Sequence, residues 1–249
     1  MILFRTNFLP WWLPILFIAL PACSTSQGFD RAGIQETLRH RLDLIDERTA
    51  QGPADRTATL AAPFRLGVYF VRSEFPTRES VRSMEWLGVE KDRLLQGLGP
   101  LRDNRIVRDV MILADSTILN LSRGELRQAA GRHGIDVLLL VDGIGAVDRH
   151  NNAYSLLYPT ILGAYAAPGT VSDALFVIDG LLWDLRTDRL LDRITSEGQA
   201  RSVGTAVAIV DAAVLREAKR QAIETFGTGL VDQLRSFAGT RPDAPSPSR

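Results

Sequence analysis

Apolar positions recur along this chain in two rhythms, and their alternation predicts a mixed α/β domain. Ile34, Leu38, Leu42 and Ile45 are spaced by four, four and three, a single stripe on a helix that Asp30 is placed to cap. Arg39, His40, Arg41 and Arg48 take its other faces. Such a stripe can rest on a membrane or on the chain's own domain, and the second is expected. Phe64 to Val71 is a run of strand length and β-favouring composition. Residues 73 to 83 are polar, carry Pro76 and read as a loop. Trp86, Leu87, Leu94, Leu95 and Leu98 fit an amphipathic helix that Gly97-Leu98-Gly99-Pro100 stops. Ile106 to Leu113 is a second strand, and Glu125 to His133 a short helix with Gly134 as its C-cap. Val137-Leu138-Leu139-Leu140-Val141 reads as a central strand buried on both faces.

The stretch from His150 to Thr170 is less regular and contains Tyr154, Tyr158, Pro159, Tyr165 and Pro168. Ala174 to Leu185 and Leu190 to Arg201 form two strands around Arg186-Thr187-Asp188-Arg189, a hairpin signal. Ala206 to Phe237 reads as one long helix, which Gly227-Thr228-Gly229 is placed to break. The expected fold class is α/β (an α+β sandwich), with a mixed sheet of about five strands and flanking helices. Residues 63–238 form this globular domain, and 239–249, with three prolines and nothing to bury, form a disordered tail.

Ahead of the domain lies an uncharged apolar segment, Phe8 to Leu20, with Arg5 before it and Leu20-Pro21-Ala22-Cys23 after it. It falls short of the ~20 residues of a membrane span and is interrupted by Pro10, Pro14 and Pro21. Residues 1–22 therefore read as a signal peptide, with Ala22 as the small residue at its cleavage site. Together with Cys23 they resemble the lipobox of bacterial lipoproteins. That resemblance implies a diacylglyceryl group on the Cys23 sulfur, and Ser24 after it implies passage to the outer membrane, on its periplasmic face. Residues 23–62 then form a lipidated tether with the first helix. With the one cysteine acylated, no disulfide is available, although that compartment permits them.

Charge narrows the partners. The chain has 29 basic and 29 acidic residues, so no long-range field draws it to nucleic acid or to anionic lipid. Only Lys91 and Lys219 are lysines. The arginines are scattered, which favours compositional bias over a phosphate site. About 225 residues after the signal suffice for one core.

Three segments carry a further resemblance, to the periplasmic lipoprotein domains related to CsgG, LpoB, PelC and the TolB N-terminal domain. Leu66-Gly67-Val68-Tyr69-Phe70 is similar to their opening strand. Ala130-Gly131-Arg132-His133-Gly134-Ile135-Asp136-Val137-Leu138-Leu139 is similar to their helix-to-strand step. Trp183-Asp184-Leu185-Arg186-Thr187-Asp188-Arg189-Leu190 resembles their hairpin turn, with Asp188 where glycine is usual. The lipobox and Tyr158-Pro159-Thr160-Ile161-Leu162-Gly163 bear a fainter similarity to the rhombotarget lipoproteins. These resemblances imply a non-catalytic binding or assembly accessory of an envelope or secretion system, with an envelope protein partner or a homo-oligomer. A CsgG-like secretion channel is the alternative, and an enzyme of unrecognised class stands behind it.

Site chemistry is sparse. His40, His133 and His150 share no His-x-x-x-His frame and read as surface residues, so neither metal nor cofactor is expected. No serine lies in a nucleophile motif. Gly143-Ile144-Gly145 follows a strand, but a phosphate site needs a helix to begin there, and Arg149-His150-Asn151-Asn152 is turn material. Asp136, Asp142, Asp148, Asp173, Asp179 and Asp184 recur near strand ends without a spacing that predicts convergence. Tyr154, Tyr158 and Tyr165 are the candidates for a partner surface, since loops on a rigid scaffold carry binding and tyrosine loses little entropy when fixed.

Overall fold

The computed structural model describes residues 26–45, 59–72, 81–83, 85–114 and 122–239. Cys23, Ala22, the signal segment and the tail from residue 240 lie outside them. The elements are α1 (Arg31–Ile45), β1 (Phe64–Phe70), β2 (Val81–Ser83), α2 (Gly88–Gly97), α3 (Gly99–Asp103), β3 (Val107–Ile112), α4 (Arg123–Arg132) and β4 (Val137–Asn151). A 3-10 turn (Ala153–Leu157), α5 (Ile161–Ala166), β5 (Thr170–Asp184), β6 (Arg189–Gly204) and α6 (Asp211–Gly239) complete the chain.

The sheet order is β3-β1-β4-β5-β6, with β2 pairing onto β4 beyond the end of β1. β1 runs parallel to β3 and β4, whereas β4, β5 and β6 are antiparallel in sequence, so the sheet is mixed as expected. It has six strands among the described residues. β2 is the one the sequence reading assigned to a loop; three residues pairing Ser83 with Ile144 leave too short a pattern to see.

The central strand explains the layering. Val137, Leu139 and Val141 point into the core that holds Phe176, Phe226 and Leu230, under α2, α3 and α6. Leu138 and Leu140 point the other way, toward Leu126 and Ala130 of α4 and Leu42 of α1. Further along, Ile144, Ala146, Leu175 and Val177 meet Ile34 and Leu38 of α1. The α1 stripe therefore packs on its own domain. Burying a Leu or Ile side chain contributes about 1.5–3 kcal/mol, which fixes the helix on the sheet without help from a lipid.

β4 is much longer than its apolar run. It continues through Gly143, Gly145 and Asp148 to Asn151, pairing residue for residue with β5. Arg149, His150 and Asn151 are thus strand and not turn. The glycines answer to packing: a Cβ at Gly143 would stand 2.7 Å from a ring carbon of Phe176, and one at Gly145 2.7 Å from Leu215 Cδ1. α6 is also unbroken at Gly227 and Gly229. Each glycine costs a helix about 1 kcal/mol, which the burial of Phe226, Leu230 and Leu234 exceeds.

Candidate functional site

One end of the sheet gathers most of the unusual features. There β4 ends at Asn151, β5 begins at Thr170 and β6 ends at Gly204. The connection between β4 and β5 is locally well made. Asn152 caps the 3-10 turn through Tyr154 N, and Thr160 caps α5 through Gly163 N. The Asn152 side-chain amide donates to Pro168 O at 2.9 Å, closing the loop on itself.

This frame separates the three tyrosines. Tyr158 is half-buried, with its hydroxyl 2.8 Å from Thr170 Oγ1, so it belongs to the scaffold and not to a free surface. Tyr154 and Tyr165 are 61% and 66% exposed. They are joined by exposed Leu156, Leu157 and Leu162, which the sequence reading passed over. The signal available was charge: residues 152–169 contain no Asp, Glu, Lys, Arg or His.

The start of the described chain is tied to the same end. Ser26 Oγ donates to Asp148 Oδ2 at 2.6 Å, and Gly28 N donates to the same oxygen at 3.1 Å. Asp148 faces Asp173 across the β4–β5 ladder. His150 lies on the same face, its Nδ1 3.9 Å from a carboxylate oxygen of each. Its side chain is largely covered, a departure from the surface position expected for all three histidines; His40 and His133 are exposed. An open depression of about 320 Å³ between Ser26, Phe29, Asp173 and Arg201 borders this group.

A second polar group lies deeper on that face, beneath α1. Asp142 and Asp179 are directly paired across β4 and β5 and almost fully buried. Arg41 of α1 reaches Asp142 with Nη2 to Oδ1 at 3.1 Å and Nε to Oδ2 at 3.1 Å. Arg193 of β6 donates from Nε to Asp179 at 2.8 Å and from Nη1 to Asp43 of α1 at 3.0 Å. Thr195 Oγ1 donates to the other Asp179 oxygen. Burial pushes the Asp142 carboxyl up to about 6, and nearby Asp179 adds to the rise; Arg41 and the Gly143 N–H oppose it. The expectation that the aspartates do not converge is thus corrected. Two of their pairs meet because β4 and β5 are in one long antiparallel register.

The opposite face holds the buried Lys219 of α6. Its Nζ is 2.6 Å from Glu90 Oε2 and donates to Glu85 O at 3.0 Å. It also lies 4.5 Å from the Trp86 ring centre and 5.2 Å from that of Phe176. Lys91 sits 5.3 Å from the Phe70 ring, which packs on Trp86 at 5.0 Å. Both lysines of an arginine-rich chain therefore converge on one aromatic cluster. Desolvation lowers the Lys219 pKa, while Glu90 opposes it. The group ties α2 to α6.

Among the described residues, no three His, Cys, Asp or Glu side chains assemble as a metal site, and no helix is long and apolar enough to cross a membrane. No family model matches the chain, and no curated protein matches its sequence. Solved structures do match at low identity. A Xanthomonas campestris protein of the DUF330 family is 14% identical over 74% of this chain and 93% of its own, with a TM-score of 0.35. The PelC dodecamer from Paraburkholderia phytofirmans is 14% identical over 74% and 91%, with a TM-score of 0.31. A neuraminyllactose-binding hemagglutinin homolog from Helicobacter pylori is 9% identical over 74% and 90%, with a TM-score of 0.40. At these scores the fold rests on the sheet order and layering given above.

Proposed function

We propose that this chain is a lipid-anchored envelope protein, held through Cys23 at the periplasmic face of the outer membrane. It acts by binding or assembly and not by catalysis, with an envelope protein or further copies of itself as partner. The observation that supports this most directly is the docked tether. Ser26, three residues after the lipobox-like cysteine, is hydrogen-bonded to Asp148 of the sheet. From Ser26 onward the described chain is held to the sheet, three residues in sequence after Cys23. The polar clusters read in the same direction: Arg41, Arg193 and Lys219 each join a helix to another element and are occupied in doing so. The channel alternative needs an amphipathic hairpin alternating every second residue, whereas residues 153–166 form a 3-10 turn and a helix.

Metabolic labelling with a fatty-acid analogue in a diderm host tests the anchor. The natural chain should take the label and lose residues 1–22, and Cys23→Ser should do neither. Label retained by the variant overturns the reading. Detergent extraction of the labelled protein, followed by size measurement and pull-down, tests the assembly role; a monomer that recovers nothing overturns that part alone.

A further inference from the structure

Exposed apolar side chains are unevenly placed on this domain. Of the eleven large ones among the described residues, eight lie at the Asn151–Thr170–Gly204 end of the sheet. Tyr154, Leu156, Leu157, Leu162 and Tyr165 come from the β4–β5 connection, and Val203, Val207 and Val210 from the end of β6 and the loop after it. Arg149 of β4 holds that second loop in place, donating to Ala206 O at 2.8 Å. Single exposed apolar residues are ordinary on a soluble surface, but a cluster of this kind marks a contact.

Charge points to what the contact is. Residues 152–169 and 202–210 are free of Asp, Glu, Lys, Arg and His, although 23% of the whole chain is charged. At that average the two segments would hold about six charged residues. Protein–protein interfaces are also charge-poor at their core but are enriched in arginine and ringed by polar side chains, whereas an uncharged surface that carries tyrosines suits the headgroup boundary of a bilayer. Position points the same way. Ser26 is hydrogen-bonded to Asp148, and three residues of extended chain, the separation of Cys23 from Ser26 in sequence, reach at most about 10 Å. Asp148 is three residues from the end of β4, again about 10 Å. The described start of the chain and the uncharged loops therefore lie at the same end of the sheet.

We propose that this end is a lipid-contact surface: Tyr154, Leu156, Leu157, Leu162 and Tyr165 rest in the headgroup region of the leaflet that holds the Cys23 acyl chains. The proposal rests on the anchor reading above. The two chains of a diacylglyceryl group already hold the protein at the bilayer, and an apolar protein surface beside them adds a fixed orientation.

The test uses the full lipidated chain. Acylation blocks the Cys23 sulfur, so Leu162→Cys offers a free thiol for an environment-sensitive fluorophore, and Glu224→Cys on the exposed side of α6 gives the reference. Each protein is reconstituted in phosphatidylethanolamine–phosphatidylglycerol vesicles with brominated acyl chains, and fatty-acid label is counted in the same samples. Quenching at 162 several-fold stronger than at 224 is the expected result. A labelled chain quenched equally at both positions overturns the lipid contact and leaves the anchor standing. An unlabelled chain quenched at 162 alone overturns the anchor and supports the contact. An emission shift at 162 that grows with protein concentration in detergent, without vesicles, shows a second copy on this surface and overturns the proposal.

Discussion

Asp142 of β4 stands directly opposite Asp179 of β5, and both carboxylates are buried on the face that α1 covers. Each has its own arginine, Arg41 from α1 and Arg193 from β6, so two like charges are held side by side by cations from two different elements. The arrangement fastens α1 to three consecutive strands.

It also makes stability depend on pH. The Asp142 carboxyl is raised from 3.8 to about 6 in the folded chain. The folded state therefore binds this proton more tightly than the unfolded state does. The resulting stabilisation is complete below about pH 4 and is lost as pH rises through about 6, a change of about 3 kcal/mol at ~1.4 kcal/mol per unit. Asp142→Asn mimics the protonated form and removes this dependence. Urea unfolding at pH 4 and pH 7 should show the variant gaining on the natural chain by that order at the higher pH. A difference that does not change with pH contradicts the assignment.

Arg193 bridges Asp179 and Asp43, and Asp179 has almost no access to water. Removing one partner of a buried pair costs about 3–5 kcal/mol, and Arg193→Met should cost that much in chemical denaturation. The exposed pair of Arg31 and Glu197 at 3.3 Å is the contrast. Arg31→Ala should change stability by less than about 1 kcal/mol. Equal losses at the two sites would show that the buried network carries no special weight.

Gly143 tests whether the glycine pair on β4 is a matter of packing. Gly143→Ala places a methyl 2.7 Å from a ring carbon of Phe176 and 3.2 Å from Trp86. Neither ring can move freely in this core, so the variant should lose about 1–3 kcal/mol. Near-ultraviolet circular dichroism should report the displaced tryptophan. An unchanged melting temperature and spectrum would remove the packing explanation.

The tyrosines should divide by role. Tyr158→Phe deletes the bond to Thr170 and should lower stability by about 1 kcal/mol. Tyr154→Ser with Tyr165→Ser alters only exposed rings and should leave the thermal transition in place. A reversed outcome would mean that Tyr158 is free and the other two are core.

Asp188 occupies the left-handed region at φ 58° in the β5–β6 turn. Arg123 holds it, donating from Nη2 to its carbonyl oxygen at 2.9 Å and to Oδ1 at 2.8 Å. Asp188→Ala and Asp188→Gly both lose the carboxylate, but only glycine relieves the backbone. The alanine variant should be the less stable of the two by about 1 kcal/mol. Equal stability would show that the turn relaxes into another conformation.

Most of the layering was legible from the residues. The stripe Ile34–Leu38–Leu42, the apolar run at Val137 and the hairpin around Arg186-Thr187-Asp188-Arg189 each carry their own period or turn chemistry, and each forms as its pattern implies. What stayed hidden depended on register. In the β4–β5 ladder the numbers of paired residues add to a constant 321, so Asp142 meets Asp179 and Asp148 meets Asp173. The clue was the equal spacing of six between the acids of each strand, Asp142 to Asp148 and Asp173 to Asp179, an even number that keeps both on one face. It becomes readable only once the pairing of the strands is known. The split among the tyrosines was hidden for a similar reason: Tyr158 is fixed by Thr170, twelve residues away, across a loop whose fold no local pattern announces.

The long ladder from Asn151–Thr170 to Val137–Asp184 is also a measuring rod. Fifteen paired residues, fourteen steps of 3.3 to 3.4 Å, set about 47 Å between its ends. One end carries the uncharged loops. Beyond the other lies the turn with Arg186 and, packed on it, Arg123 and Arg127 of α4. On the proposed seating of the first end, the second stands well clear of the lipid and presents a turn whose arginines are already paired with Asp136 and Asp188.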